Sequence, residues 1–596
     1  MAKWMVYHKK EDFMGIARAC GISPVLARVI RNRDVIGMEA TRRYLDGTMD
    51  MLHDPYLLPD MDRAVSLLEE KIRQGKAIRV IGDYDVDGIC ASYILVTVLR
   101  ACGAAADARL PDRISDGYGI NERLVREAGD SGIDTILTCD NGIAAAGPLG
   151  TAKETGMTVI VTDHHEVPFH LEENGEKTWI LPPADAVVDP KIPSSVTGRP
   201  DYPFRDICGA AIAWKLAQVL TARMDTPGRQ ELLRELLGFC ALATVCDVMP
   251  LQDENRIMVR YGLQAAAATS NPGLRALIAV TGLTGSVLTP YHAGFILGPC
   301  MNATGRLDTA ERALALFFEE DENRALYAAQ ELKNLNDSRK DMTRQGIEEA
   351  CRIAPAQGYP ENKVLVIYMP DCHESLAGII AGRVRERYAR PSIVLTKTEE
   401  GQIKGSGRSI EAYDMFEELN KCKDLFVRFG GHKMAAGLTL QEGKVEEFRR
   451  RINKLCSLRE EDLCEIIHID MELPLRFVDM PLTESFDRLG PFGTGNPHPL
   501  FVTRNIYLLG YRILGQNRNV VKLTGTVDGA RAPEMICFAD GDEFEERILR
   551  EKGRMVLHDL RAGRGSLCAD IVYEPSINSF RGERNVQIRI KDMRFH

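Results

Sequence analysis

Three acidic segments, each closing a short apolar run, constrain this chain more than any other feature: Asp83-Tyr84-Asp85-Val86-Asp87-Gly88, Cys139-Asp140-Asn141-Gly142 and Thr162-Asp163-His164-His165. The runs that lead into them, residues 77–82, 133–139 and 157–162, are rich in β-branched residues, as is a further run at 184–188. They read as buried parallel strands. Helical stretches such as 89–100 and 122–128 lie between them, and strands alternating with helices predict a doubly wound α/β sheet. Ligands of such sheets collect beyond the carboxyl ends of the strands, where loops and helix N-termini converge. One aspartate there carries little information, because Asp is common in turns and helix caps. Five aspartates with two adjacent histidines form an oxygen-and-nitrogen donor set for two divalent cations.

That donor set points to phosphoester chemistry. A bridging carboxylate can hold two Mg²⁺ or Mn²⁺ ions roughly 3.5–4 Å apart, so that water is activated and phosphoryl charge neutralised. Imidazole beside carboxylates favours Mn²⁺ somewhat, since Mg²⁺ prefers all-oxygen shells. Adjacent histidines on a loop point in different directions, one ring toward metal and the other toward substrate. A zinc-protease reading fails: between His165 and His170 there is one residue too many, and Pro168 breaks the required helix.

The 596 residues predict three or four domains, as single cores stop growing at roughly 250–300 residues. With 45% hydrophobic and 27% charged residues the chain is ordinary and globular, which excludes disordered and fibrous classes. No apolar run reaches the ~18 residues of a membrane span, and the first residues lack the apolar core of a signal peptide. The fifteen cysteines include no Cys-x-x-Cys pair, so neither a zinc ribbon nor a disulfide framework is expected. A cytoplasmic protein without membrane contact is the expectation. Net charge is −10, but residues 1–46 carry nine Lys/Arg against five Asp/Glu, and residues 561–596 seven against four. Such stretches are usually solvated faces, so charge alone leaves partners open.

The acidic segments, with Asp163-His164-His165, resemble the DHH phosphoesterase superfamily. The likeness continues through residues 298–307, Gly405-Ser406-Gly407-Arg408-Ser409 and Gly430-Gly431-His432-Lys433-Met434-Ala435-Ala436-Gly437, which are similar to segments of the RecJ single-stranded-DNA exonucleases. It covers nearly the whole chain. The resemblance implies metal ligation by Asp83, Asp85, Asp87, Asp140, His164 and Asp247, with Asp140 bridging and His165 facing the scissile phosphate. Asp163 would orient a histidine from outside the ligand set. It further implies a 5′-phosphate pocket of Arg113, Ser406 and Arg408, and substrate contacts from Arg306, His373, Ser409, His432 and Lys433. Four positions depart from the RecJ pattern: Ile81 for His, Cys300 for Arg, Asp189 for Asn and Cys372 for Trp.

Five regions are expected: a basic helical segment at 1–46, a DHH catalytic domain at 47–285, a helical connector at 286–345, a DHHA1 substrate-binding domain at 346–457 and an oligonucleotide-binding (OB-like) β-barrel at 458–596. The DHHA1 region reads as a second α/β unit, with strands at 363–368 and 392–396 and a helix at 378–390. Its glycines would let backbone amides approach an anion. In the barrel, Arg581, Arg584 and Arg589 beside Tyr573 and Phe580 would suit backbone neutralisation and base stacking. The implied activity is 5′ to 3′ hydrolysis of single-stranded DNA to nucleoside 5′-monophosphates by a monomer using two Mn²⁺ or Mg²⁺ ions. Single-strand-binding protein and a helicase are the implied partners, in DNA repair and recombination. Two alternatives stay open: a phosphodiesterase for short oligonucleotides or cyclic dinucleotides, and a non-catalytic replication scaffold.

Overall fold

The computed structural model describes residues 2–172, 175–398, 400–527, 529–580 and 582–596. It divides into two compact units. One comprises Leu52–Pro250 and Ile257–Cys464; the other comprises Met1–Met51, Leu251–Arg256 and Glu465–His596.

The first unit opens with a parallel sheet that holds the four predicted strands and one, Ala105–Arg109, that was not predicted. Its strands are β1 (Ala77–Ile81), β2 (Ala105–Arg109), β3 (Thr135–Cys139), β4 (Thr158–Thr162) and β5 (Ala186–Val188), in spatial order β2-β1-β3-β4-β5. Every pairing is parallel. Helices cover both faces, so β3 is buried throughout, as its unbroken apolar run requires. On one face, Leu124, Val125, Leu149 and Ala152 pack on Ile81, Ile136 and Val161. Across the other lies α1 (Val86–Ala101), apolar around its whole circumference and buried from Val86 to Val96. Against it pack α2 (Gly209–Arg223) and α3 (Arg229–Cys246). The strand order reverses between β1 and β3, and this topological switch point is where open α/β sheets bind ligands.

Downstream come α4 (Gly298–Leu307) and the 32-residue α5 (Glu322–Ile353). They lead into a mixed sheet of β6 (Leu365–Tyr368), β7 (Ser392–Lys397), β8 (Ile403–Arg408), β9 (Phe426–His432) and β10 (Ala435–Leu440), ordered β9-β10-β8-β7-β6 with α6 (Ala377–Tyr388) packed on it. Only β6–β7 is parallel. The glycines expected to let backbone amides approach an anion lie in strand segments. Ser406 pairs with Gly437 and Gly430 with the same Gly437, and nothing lies within 4 Å of a Cβ built on Gly430 or Gly437, so these glycines leave one sheet face bare.

In the second unit, β11 (Phe501–Leu514), β12 (Val520–Val527), β13 (Glu534–Cys537), β14 (Leu567–Phe580) and β15 (Glu583–Phe595) close a five-stranded barrel, since β11 pairs with both β14 and β12. The first residues, expected as a segment of their own, are built into this unit. Lys3–Val6 pairs in parallel with Ile466–Ile469, and Leu26, Ile30 and Tyr44 share a core with Phe486, Leu489 and Phe501. A buried bidentate ion pair, Arg33 to Asp470 at 2.6 and 3.1 Å, ties them down. Tyr573, expected to stack on bases, is wholly buried and donates its hydroxyl to the Leu473 carbonyl at 2.5 Å. Its place on β14 alternates inward, where an aromatic ring fills the barrel. Arg589 is exposed, and Arg584 pairs with Glu484 at 2.9 Å. Arg581 and the Phe580 side chain lie outside the described residues. Among the described residues no single helix is long and apolar enough to cross a membrane, and all fifteen cysteines are free.

Candidate metal centre

The loop after β1 turns sharply into α1, and its carboxylates are aimed by that turn. Asp85 caps α1, accepting from the N–H groups of Asp87 (2.9 Å) and Gly88 (3.2 Å). Only glycine fits at 88, where a Cβ would lie 2.4 Å from the Asp83 backbone. Asp83 is buried and accepts from Gly119 N–H at 3.2 Å. Asp87, on the first turn of α1, reaches the N-terminus of α2 and accepts from Gly209 (2.6 Å) and Ala210 (2.8 Å) N–H.

Asp140, at the end of β3, takes a left-handed backbone (φ +60°), a strained conformation for a residue with a Cβ. That bend brings its Oδ1 to 3.0 Å from His164 Nε2. The same imidazole nitrogen lies 3.6 Å from Asp87 Oδ2 and 3.7 Å from Asp247 Oδ2, the latter carried on the residue that ends α3. Asp163 is buried and binds three N–H groups, those of Ile143, His164 and His165, while its Oδ1 holds His165 Nδ1 at 2.7 Å.

The electrostatics match a site built for cations. Burial, reinforced by neighbouring carboxylates, holds Asp83, Asp140 and Asp247 well above the usual carboxylate range. Burial likewise lowers His164 to about 4, leaving it neutral, with the lone pair of one ring nitrogen free to ligate. His165 behaves oppositely: burial disfavours its charge, but the Asp163 hydrogen bond and the surrounding aspartates outweigh that and raise it to about 9. His164 Nδ1 and Asp247 Oδ2 are buried without hydrogen-bond partners. Donor atoms cluster in three groups within 4.8 Å: Asp83-Asp85-Asp140, Asp87-His164-Asp247 and Asp140-His164-His165. Asp140 belongs to two of them. Carboxylate oxygens with imidazole fit Mn²⁺ or Mg²⁺, so the residues present fit the implied metals.

A second constellation lies in the same unit. A cavity of about 500 Å³ is lined by Tyr84, Arg113, Ser375, Ser406, Arg428 and Gly437, among others. Arg113 stacks on the Tyr84 ring at 4.0 Å, and Arg408 donates to Ser406 Oγ at 3.1 Å. Arg306 donates to the Ser375 carbonyl at 2.8 Å; burial, then the charges of Arg113, Arg339 and Arg408, pull it down to about 10. Four expected substrate contacts sit elsewhere or face solvent. Ser409 is buried and its hydroxyl donates to the Tyr413 carbonyl at 2.5 Å, so it is not available to substrate. His373 lines a separate cavity of about 480 Å³ with Tyr368 and Cys372. His432 and Lys433 are exposed at the β9–β10 turn, where His432 Nδ1 accepts from Met434 N–H.

Sequence reasoning missed Tyr118 and Asn141. The Tyr118 hydroxyl donates to the Asp140 carbonyl at 2.7 Å and lies 3.0 Å from His165 Nδ1. Asn141 joins the ends of β1 and β3 to the loop at Ile120, donating to the Ile81 and Cys139 carbonyls and accepting from Ile120 N–H. The only sequence signal for Tyr118 is its place between Gly117 and Gly119, both at positive φ. Of the departures from the RecJ pattern, Ile81 is core and Cys300 is buried with its thiol on the Ile296 carbonyl.

Family models match along the chain: "DHH family, N-terminal domain" at 77–244, "DHHA1 domain" at 361–458 and "RecJ OB domain" at 469–592. The single-stranded-DNA-specific exonuclease RecJ of Bacillus subtilis is 32% identical across 99% of this chain and 70% of its own length. The Escherichia coli protein of the same name is 31% identical across 96% of both. The chain belongs to the RecJ family. Its fold follows that of the Thermus thermophilus RecJ crystal structure in complex with Mn²⁺, with a TM-score of 0.80 at 28% identity, covering 100% of this chain and 79% of that one. The Mg²⁺ complex of that RecJ superposes with a TM-score of 0.74 at 27% identity, covering 100% and 78%.

Proposed function

We propose that this chain is a metal-dependent exonuclease of single-stranded DNA, working 5′ to 3′ and releasing nucleoside 5′-monophosphates. The observation that carries the reading is the convergence of Asp83, Asp85, Asp87, Asp140, His164 and Asp247 at the β1/β3 switch point, in the same unit as an arginine-walled cavity. These six residues are the proposed ligands. Two divalent ions bound there would supply charge neutralisation and an activated nucleophile.

The chain's own residues do the rest. His165, protonated and fixed by Asp163, presents a positive N–H toward the scissile phosphate. Tyr118 restrains both Asp140 and His165 through one hydroxyl. Arg113, Ser406 and Arg408, with Arg306 behind them, hold the terminal 5′ phosphate, and anchoring that end fixes which bond is presented. The OB domain supplies grip on a longer strand, which a phosphodiesterase for dinucleotides would not need. The intact carboxylate set stands against a non-catalytic scaffold. The functional regions are proposed as 47–285, 286–345, 346–457 and 458–596, with the basic segment 1–46 folded together with the last. By family resemblance the protein acts as a cytoplasmic monomer with single-strand-binding protein and a helicase.

The test is a long single strand labelled at either end, digested with Mn²⁺ or Mg²⁺ and with Asp140→Ala as control. Early release of the 5′ label, lost in the variant, is expected. Cleavage of a dinucleotide with no release from the long strand would favour the small-substrate phosphodiesterase.

A further inference from the structure

Tyr291 and Phe295 stand on successive turns of one helical segment, ring centroids 5.2 Å apart and planes 22° from parallel. Both are largely exposed, at 62% and 64%. Two large rings stacked side by side in water present an apolar face of the kind that marks a contact site. Their mount is capped at its start. Pro290 begins the helix, and a reciprocal cap holds it: His292 N–H donates to Thr289 Oγ1, while His292 Nδ1 accepts from Thr289 N–H. Ala293–Leu297 then forms a π-helical turn, a feature common at functional sites.

That turn is docked on the end of α3, the helix that delivers Asp247 to the metal group. Cys246 Sγ approaches the Ala293 carbonyl at 3.5 Å, and a Cβ at Gly298 would lie only 2.3 Å from the same sulfur. The aromatic pair is therefore anchored to the residue next to a proposed metal ligand. Its surroundings in sequence are equally specific. In a chain with 27% charged residues, not one Asp, Glu, Lys or Arg occurs from 281 to 305. Such a stretch neither repels nor grips phosphates; it offers ring faces, and every nucleobase has a π-face to lay on them.

We propose that Tyr291 and Phe295 form a base-stacking platform for the single strand engaged at the metal centre; this rests on the nuclease reading above. Stacking is indifferent to base identity, so the platform favours strands that carry bases over strands that lack them. Alanine replacement of a stacking ring costs about 1–3 kcal/mol per base, or roughly 5- to 150-fold in affinity.

The test compares wild type with Tyr291→Ala/Phe295→Ala on oligo(dT) and on a strand of equal length with abasic sites, in Mn²⁺. The variant should raise KM on oligo(dT) within that range and erase the preference over the abasic strand, while Tyr291→Trp/Phe295→Trp keeps it. Unchanged KM on oligo(dT), or an equal rise on both strands, would overturn the platform. A changed sedimentation coefficient with unchanged KM would also overturn it and assign the rings to self-association. Anisotropy of labelled oligo(dT) gives the same comparison without turnover, so absence of hydrolysis by wild type sinks the nuclease reading alone.

Discussion

Gly209 is pressed against Asp140: a Cβ on this glycine would lie 2.7 Å from the Asp140 Cβ and 2.9 Å from its Cα. The same residue donates its N–H to Asp87 at 2.6 Å. One glycine thus sets the spacing between carboxylates from β3 and α1. Gly209→Ala should push α2 away from the strained Asp140 loop. A displacement near 1 Å at a catalytic group costs on the order of 100-fold in rate. Turnover of oligo(dT) should fall by about that factor while the far-ultraviolet circular dichroism stays native; full activity would show that the spacing is not critical.

Asp163→Asn keeps the side-chain volume but removes the charge that sustains protonated His165. His165 is raised to about 9 by that hydrogen bond and by nearby aspartates, against burial. A group with a raised value keeps its proton up to that pH and loses it above. The alkaline limb of the kcat/KM profile should therefore move to lower pH in the variant, with roughly a 10- to 100-fold loss at neutral pH. An unmoved limb would remove His165 from the reaction.

Without metal, the buried aspartates destabilise the fold. Asp83, Asp140 and Asp247 are raised above the usual range by burial and by neighbouring carboxylates. In that case the unfolded chain ionises first as pH climbs, so the folded state loses stability from the usual carboxylate range upward until the raised values are passed. In EDTA the Tm attributable to these groups should fall between pH 5 and pH 8, and Mn²⁺ should restore it. Asp140→Asn should raise the metal-free Tm at pH 8, each kcal/mol being worth roughly 2–4 °C, while abolishing hydrolysis. Differential scanning fluorimetry reads both effects.

Arg408→Gln tests the phosphate pocket. Losing a charge-assisted hydrogen bond costs about 1.5–3 kcal/mol. The variant should lose roughly 10- to 150-fold of any preference for a 5′-phosphorylated end over a 5′-hydroxyl end. Retained preference would place recognition of the 5′ end elsewhere.

In the other unit, Arg33 and Asp470 are 4% and 3% exposed at their side chains and meet in a bidentate pair. Removing one partner strands a buried charge. Asp470→Ala should destabilise that unit by about 3–5 kcal/mol, seen as early proteolysis around the barrel during urea titration. Wild-type resistance would show that the pair contributes little.

Local pattern alone placed four of the five parallel strands, helices between them and the segments carrying Asp83, Asp85, Asp87, Asp140, Asp163, His164 and His165; the edge strand Ala105–Arg109, with no run of large apolar residues, was not read. Strand periodicity and the fate of a strand's carboxyl end are short-range properties, so they are legible without a fold. What only the tertiary structure decided depends on pairings between distant stretches. Asp247 arrives from a helix end to complete a group with Asp87 and His164. Tyr118 and Asn141 act through contacts made across loops. The Gly-rich segments became strands because Ser406 and Gly430 both pair with Gly437. Tyr573 faces the barrel interior, and the first 51 residues join a barrel more than 400 residues away. Side-chain chemistry fixes what each residue can do; which partner it meets is settled by packing the whole chain, because burial and hydrogen-bond satisfaction are global conditions that no local window contains.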